Sequence, residues 1–367
     1  MKILLLYGGK SSEHDISIIT AMQVKNACRG HEVTMVYVDR NGIWRHCTDG
    51  YEPRDYLEEA LTSKWKEVAL NSDGSLYKKG IMGYKKLMTP DISILAFHGM
   101  NGEDGSCAGL MRMYNIPCLN YSVTGQSLGM DKIMTKIFMR GLRIPVLPWI
   151  EVKNSNNETE KDKLLIAAEK KFGYPMIIKP CNLGSSIAIK AVHNKEEAIA
   201  AIMVALSYDN SVIIEPQLTD MTEVNCAAYC YKGEIIVSDI EKPVGVNEIL
   251  DFTDKYMNFS KNNSTRIFPY ECEQSTDIKK AVKKIYSALH ADGVIRADFF
   301  VANNKWYLNE INMIPGSFAN YLFPDVTFEK LMDRMLEEAM NNHKKRMALS
   351  YAYYSPVLIS SQSKGKE

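Results

Sequence analysis

The sequence predicts a multidomain chain of mixed α/β and α+β class, and three observations carry that reading. A short apolar strand over residues 2–6 runs into Gly8-Gly9 and then a helix over 16–27, the opening of an α/β unit. Residues 175–231 read as strands of a mainly antiparallel sheet with one helix packed across it. Residues 295–302 and 305–312 read as a hairpin whose polar side chains fall into register.

In the first unit, residues 32–38 form a second strand and 92–97 a third. The third ends in His98-Gly99-Met100-Asn101-Gly102-Glu103-Asp104-Gly105 ahead of a helix over 109–114. Polar groups at strand C-terminal ends are where open α/β sheets bind ligands. Between these strands, residues 51–84 are polar, with an amphipathic stretch at 56–67, and read as a peripheral insertion. The texture changes near residue 122: a helix over 131–141, a strand over 145–151, a polar link over 154–163 and a helix over 164–172. Strands over 175–179, 188–192, 212–216 and 223–231 follow, with a helix over 195–206. A helix over 277–292 precedes the hairpin, a helix over 327–345 closes the fold, and 351–367 reads as a weakly tied tail.

The chain has 367 residues, enough for two or three packed domains. Its 44 Lys and Arg balance 44 Asp and Glu, so no charge excess points to a nucleic-acid partner. No window approaches the roughly 18 uninterrupted apolar residues of a bilayer span, which predicts a soluble cytoplasmic protein with no membrane partner. Cys28, Cys47, Cys107, Cys118, Cys181, Cys226, Cys230 and Cys272 form no C-x2-C pair. They read mostly as reduced core residues rather than a zinc site.

Three elements carry chemistry. Asp298 and Glu310 lie six positions either side of Asn304, and Arg296 and Asn312 eight, so a turn centred on Asn304 puts all four on one face. Two carboxylates and a carboxamide there suit Mg2+, which shares hard oxygen ligands with phosphates. A solvated hairpin face with an ion pair would use the same residues. Lys179-Pro180-Cys181-Asn182-Leu183-Gly184-Ser185-Ser186 is a strand ending in lysine followed by a Gly-Ser loop, able to offer N–H and hydroxyl donors to phosphate or simply to turn the chain. Lys255-Tyr256, within 251–261, suits either a lid that brings a cation to a phosphate or an ordinary loop.

In this order the three elements resemble the ATP-grasp enzymes, and the N-terminal part resembles the D-alanine:D-alanine ligase family, over about residues 1–340. Gly8-Gly9-Lys10-Ser11-Ser12-Glu13-His14 and His98-Gly99-x-x-Gly102-Glu103-Asp104-Gly105 are similar to its two glycine turns. Met130-Asp131-Lys132 with Lys136, Lys179-Pro180, Gly184-Ser185-Ser186, Lys255-Tyr256, Arg296-x-Asp298 and Asn309-Glu310-x-Asn312 follow in the family's order, then Pro315-Gly316. The resemblance implies a Rossmann-like domain over 1–121, ATP-grasp lobes over 122–211 and 212–345, and a tail over 346–367. It further implies ATP, Mg2+ with Mn2+ as an alternative, amino-acid substrates and a homodimer formed through the N-terminal domain.

By the same resemblance, Lys136, Lys179 and Lys255 contact ATP phosphates. Glu215, Leu218 and Glu223 hold adenine and ribose, and Asp298, Glu310 and Asn312 bind the metal. Glu13, with His98 beside it, anchors the first amino acid. Ser185 and Tyr256 link the lid to Glu13, and Arg296 with the Gly316 N–H stabilises the oxyanion. One position departs: the family's serine for the second substrate's carboxylate is here Tyr321, a bulkier hydroxyl. Cys107-Ala108, where the family commonly has a longer residue and glutamine, and Ala188, where it usually has glycine, depart in smaller ways. The expected activity is joining two D-alanines through an acyl phosphate for peptidoglycan synthesis. Tyr321 and Met313 favour a rival that joins other amino acids, and a nucleotide-binding protein without turnover is a third reading.

Overall fold

The computed structural model describes residues 1–49, 52–57, 59–120, 122–244 and 266–350, together with 352, 353, 355 and 357. Lys255 and Tyr256, and most of the tail, lie outside the described residues. The first body contains strands β1 (Lys2–Gly8), β2 (Glu32–Val38) and β3 (Trp44–His46), with helix α1 (His14–Ala27) following β1. A short helix α2 (Glu59–Thr62) and strands β4 (Val68–Leu70), β5 (Leu76–Gly80) and β6 (Gly83–Met88) come next. The body ends with β7 (Ile92–Leu95), helix α3 (Ser106–Met113) and β8 (Cys118–Leu119).

The main sheet runs β3-β2-β1-β7-β8, parallel except for β3. β1 is buried from Ile3 to Tyr7, as a central parallel strand requires. Chain order reverses between β1 and β7, so both glycine turns open into the crevice at this switch point. The insertion is less peripheral than its polarity suggests. Trp65 is 3% exposed, and its ring meets those of Tyr37 and Tyr56 edge-on beside Tyr7. The amphipathic stretch at 56–67 contains the short helix α2 and leads into the three-stranded antiparallel sheet β4-β5-β6.

Helices α4 (Val123–Met130) and α5 (Lys132–Gly141) lead to a second sheet. Its elements are β9 (Ile150–Lys153), α6 (Glu158–Phe172), β10 (Met176–Pro180), β11 (Lys190–Val192), α7 (Lys195–Leu206) and β12 (Ser211–Pro216), in the order β11-β10-β12-β9. Helix α6 begins six residues before the expected 164, within what read as a link. Asn157 and Glu160 form a reciprocal capping box that satisfies its first N–H groups. The strand expected over 145–151 starts only at Ile150, because Pro145 and Pro148 lack N–H donors. β12 lies wholly in the second sheet, so a boundary between 211 and 212 would cut it after its first residue.

A third sheet follows, built of β13 (Thr222–Tyr231), β14 (Glu234–Val237), β17 (Val294–Ala302) and β18 (Lys305–Asn312) in the order β14-β13-β17-β18. The small ladder of β15 (Lys242–Pro243) with β16 (Arg266–Ile267) and helix α8 (Ser275–Ala288) lie between β14 and β17. Met139 and Ile144 share this sheet's core with Val224, Ile285 and Phe299, which attaches α5 to the third sheet, while Ile133 at its start packs with Ile213 of the second. A 3-10 segment, Gly316–Leu322, and helix α9 (Phe328–Met347) return to the first body, where Phe318 and Leu331 are buried in its core.

The hairpin turn is Asn303-Asn304, both left-handed at φ 50° and 58°, with Ala302 paired to Lys305. That turn alone would pair Asp298 with Asn309. A bulge shifts the register between Asp298 and Phe299, so that Asp298 faces Glu310 and Arg296 faces Asn312. The expected register is therefore produced by a two-residue turn plus a bulge, not by a turn centred on Asn304. Replacing Asn304 with Val is expected to cost about 1–2 kcal/mol, because a β-branched residue resists a left-handed φ, whereas Asn304→Gly is tolerated. Thermal unfolding of the two variants checks this.

Candidate active site

The lysines expected to contact phosphate converge through strand and helix periodicity. Ile177 on β10 pairs with Glu215 on β12, so Lys179, two residues on, projects from the same face as Glu215. Lys132 and Lys136 lie one turn apart on the buried face of α5, whose start is fixed by the Asp131 side chain accepting from the N–H groups of Ile133 and Met134. The Lys179 Nζ is 2.7 Å from Glu215 Oε2, and Lys136 reaches the other carboxylate oxygen. Lys179 also donates to Asn309 Oδ1 at 3.0 Å, and Lys132 to the Leu183 carbonyl.

Burial raises the Glu215 carboxyl, but the two ammonium groups outweigh it and bring its pKa to about 2. Burial in turn lowers Lys136 and Lys132. Two ammoniums around one carboxylate leave an excess positive charge in a dry setting, which favours a polyanionic ligand. A cleft of about 400 Å³ opens here, lined by Lys179, Glu215, Leu218, Glu223, Asn309 and Glu310. The structure thus gathers Lys179, Glu215, Leu218, Glu223 and Glu310 around one cavity, with Lys136 behind Glu215.

Glu13 precedes α1 and is buried. Its carboxylate accepts from the Ser185 hydroxyl, a contact between the first body and the loop after β10. Burial and the neighbouring Glu103 both raise its pKa. Gly184 is required by this approach: a Cβ there would stand 2.8 Å from Glu13 Oε2. Ala188, where glycine is usual in the family, sits at φ 54°, the conformation that favours glycine. His98 shares a hydrogen bond with the Thr20 hydroxyl at 2.8 Å, and its Nδ1 is 3.9 Å from Glu103 Oε2. Gly316 opens a left-handed turn in which Ser317, Phe318 and Ala319 all have positive φ.

On the third sheet, Asp298 is 1% exposed and accepts from Arg296 Nε at 2.7 Å, Arg296 Nη2 at 2.8 Å and Asn312 Nδ2 at 3.1 Å. Arg296 Nη1 donates to the Tyr321 hydroxyl at 3.2 Å. A carboxylate has lone-pair capacity for about four contacts, so Asp298 retains room for a cation. Asn312 donates through nitrogen, which leaves its Oδ1 for the same purpose. With Glu310 opposite Asp298, this donor set fits Mg2+, which keeps water and phosphate oxygens in its shell. Among the described residues no three His, Cys, Asp or Glu side chains form a self-sufficient metal cage. A smaller chamber of about 40 Å³ is lined by Glu13, Lys132, Gly184, Glu310 and Asn312, and shares Lys132, Gly184 and Glu310 with the larger cleft.

Sequence reasoning missed Asn309 and Glu103 as site residues. Asn309 acts because it sits at the bulge beside Glu310, which a simple alternation pattern assigns to the opposite face. Glu103 accepts from Gly99 N at 2.9 Å and Ile314 N at 3.1 Å, tying the second glycine turn to the strand end after β18. Its place in His98-x4-Glu103 was the available signal.

Family models described as the D-ala D-ala ligase N-terminus and C-terminus match residues 2–120 and 138–337. The chain belongs to the D-alanine–D-alanine ligase family. Within that family it is 34% identical to the D-alanine–D-alanine ligase of Sulfurovum sp. over the whole of both chains. It is also 34% identical to that of Thermosipho africanus, over 95% of each. The crystal structure of the Helicobacter pylori D-alanine–D-alanine ligase superposes with a TM-score of 0.75 at 30% identity, covering 92% of this chain and 98% of that one. The VanG D-Ala:D-Ser ligase of Enterococcus faecalis, 24% identical with a TM-score of 0.76 over 92% and 99%, shares the fold. The architecture shared with these ligases is the ATP-grasp fold.

Two outcomes test the buried cluster. Glu215→Gln strands two ammoniums and should lower stability at neutral pH by about 3–5 kcal/mol. Because the folded-state pKa of Glu215 lies at about 2, below the ordinary 4.5, its stabilisation is complete above about pH 4.5 and is lost as pH falls through about 2. Urea unfolding from pH 7 down to pH 2 should therefore show the gap between wild type and Glu215→Gln closing in that window.

Proposed function

We propose that this chain is an ATP-dependent ligase that joins two D-alanine molecules into D-alanyl-D-alanine, with release of ADP and phosphate, for peptidoglycan synthesis. One observation carries the reading: the cleft beside the Lys136–Glu215–Lys179 cluster shares Lys132, Gly184 and Glu310 with the chamber holding Glu13, Glu310 and Asn312. A nucleotide in the cleft would direct its terminal phosphate to an amino acid in the chamber.

In this reading Glu13 binds the ammonium of the first D-alanine. That cation offsets the burial that raises the Glu13 carboxyl and favours its charged form. Lys136 and Lys179 neutralise phosphate charge while the first carboxylate takes the γ-phosphoryl group from ATP, giving an acyl phosphate and ADP. Asp298, Glu310 and Asn312 would hold Mg2+, with Mn2+ as the alternative, and the ion supplies charge neutralisation at the β- and γ-phosphates. The amine of the second D-alanine attacks the acyl carbon, loses a proton and expels phosphate to leave the peptide bond. Arg296 and the Gly316 N–H stabilise the tetrahedral oxyanion, where fixed donors contribute most. Lys255 and Tyr256, assigned to the lid by resemblance, lie outside the described residues.

Tyr321 favours a second reading, in which the acceptor is a different amino acid. The phenol occupies the position of the family's serine and is held by Arg296. A homodimer formed through the first body and a cytoplasmic location belong to the same proposal. Family membership supports both, and light scattering and cell fractionation test them.

Phosphate release from Mg·ATP with D-alanine alone, with mass spectrometry of the product, decides between the readings. D-alanyl-D-alanine formed in equal amount to phosphate is the expected result. Turnover only when another amino acid is added would establish the second reading and overturn the first. Glu310→Gln should reduce kcat by at least about a hundredfold while the fold persists, if charge neutralisation at the phosphates contributes the several kcal/mol typical of such sites.

A further inference from the structure

At least three of the five N–H donors of Arg296 are engaged, and the oxyanion role proposed above draws on the rest. Its Nε and Nη2 are both committed to Asp298, and its Nη1 to the Tyr321 hydroxyl. A second guanidinium lies over the ring of that tyrosine: Arg266 Cζ is 4.9 Å from the Tyr321 centroid, a cation–π arrangement. Its Nη1 is 3.7 Å from Glu241 Oε1, too far for a hydrogen bond. That buried nitrogen has no hydrogen-bond acceptor among the described residues. An unanswered buried donor is costly unless a ligand answers it.

The placement of Arg266 is fixed from two sides. Arg266 pairs with Pro243 in the β15–β16 ladder, two residues beyond Glu241. Glu241 is locked to Asn225 by backbone hydrogen bonds in both directions, at 2.8 and 2.9 Å, and by Asn225 Nδ2 at 3.3 Å. Asn225 in turn faces Asp298 across the β13–β17 ladder. One rigid sheet thus positions Glu241, and through it Arg266, relative to the Arg296–Asp298 pair. The Glu241 side chain is 6% exposed and that of Arg266 37% exposed.

We propose that Arg266, stacked on Tyr321 and held by Glu241, is a specificity-determining residue that receives the terminal carboxylate of the second amino acid. This inference rests on the ligase reading above. Where the family uses a serine hydroxyl, this chain would use an arginine–tyrosine pair: Tyr321 supplies the surface and Arg266 the charge. A planar guanidinium binds a carboxylate through two N–H groups, which also fixes its direction.

The test uses the full chain, with Mg·ATP and D-alanine, and resolves separate KM values for the first and second D-alanine. Arg266→Ala should raise the second KM by about tenfold to a hundredfold, the loss of one charge-assisted contact, and leave the first KM within about twofold. D-alaninamide, which lacks the carboxylate, should be a poor acceptor for the wild type, and Arg266→Ala should narrow the preference for D-alanine over it. Arg266→Lys should restore part of the second-site affinity. An unchanged second KM overturns the proposal, and so does a parallel rise in both KM values with a lowered Tm, which would mark a structural role. Failure of the ligase reading is read separately, from the wild type making no dipeptide from D-alanine.

Discussion

The site depends on one buried carboxylate. Glu215 accepts Lys136 from α5 and Lys179 from β10, and Lys179 continues to Asn309 on β18. Since α5 packs with the third sheet, the cluster joins the second sheet to the third through both lysines. Buried charges are tolerated only when paired, so this cluster holds its lysines in one geometry before any nucleotide arrives. It also leaves one positive charge unanswered by Glu215, for which a polyphosphate would supply the counter-charge. Stability, and under the proposed function phosphate recognition, therefore draw on the same three side chains.

A second seam closes the chamber. Glu13 comes from the β1 turn and Ser185 from the loop after β10, and the hydroxyl of one reaches the carboxylate of the other. Glu103 does similar work between the second glycine turn and Ile314. The glycines fit the closeness of these approaches: a side chain at Gly184 or Gly99 would enter the space of Glu13. Backbone strain gathers here too, in the positive φ values of Ser185, Ser186 and Ala188 and of Ser317 through Ala319. Left-handed residues of this kind cost about 1 kcal/mol or more each and persist where packing holds them; Phe318 and Ala319 are fully buried.

Much of this was legible in the sequence because periodicity and strand ends are local. The strand–glycine–helix opening, the helix Lys195–Leu206 and the pairing of Asp298 with Glu310 follow from alternation and turn residues. What escaped depended on contacts distant in sequence or on irregularity. The bulge that brings Asn309 beside Glu310 breaks the alternation from which a face is assigned. Helix α6 began inside a polar stretch because its exposed face carries little apolar signal, although Asn157-x-x-Glu160 marked its start. Trp65 read as part of a peripheral insertion, since nothing near it in sequence reveals the Tyr37 and Tyr56 rings that enclose it. Glu215 is assigned to adenine and ribose by resemblance, and its lysine pairing leaves no local signal because the two partners are 79 and 36 residues away.

The central claim is that the lysines held by Glu215 form a preset site for the phosphates of ATP. Calorimetric titration of Mg·ATP into the wild type and into Lys179→Met tests it most directly, with unfolding followed in parallel to verify that the variant is folded. Affinity weakened at least about tenfold in the folded variant, the loss of one charge-assisted contact to phosphate, is the expected result. Equal affinity in the two proteins would contradict it.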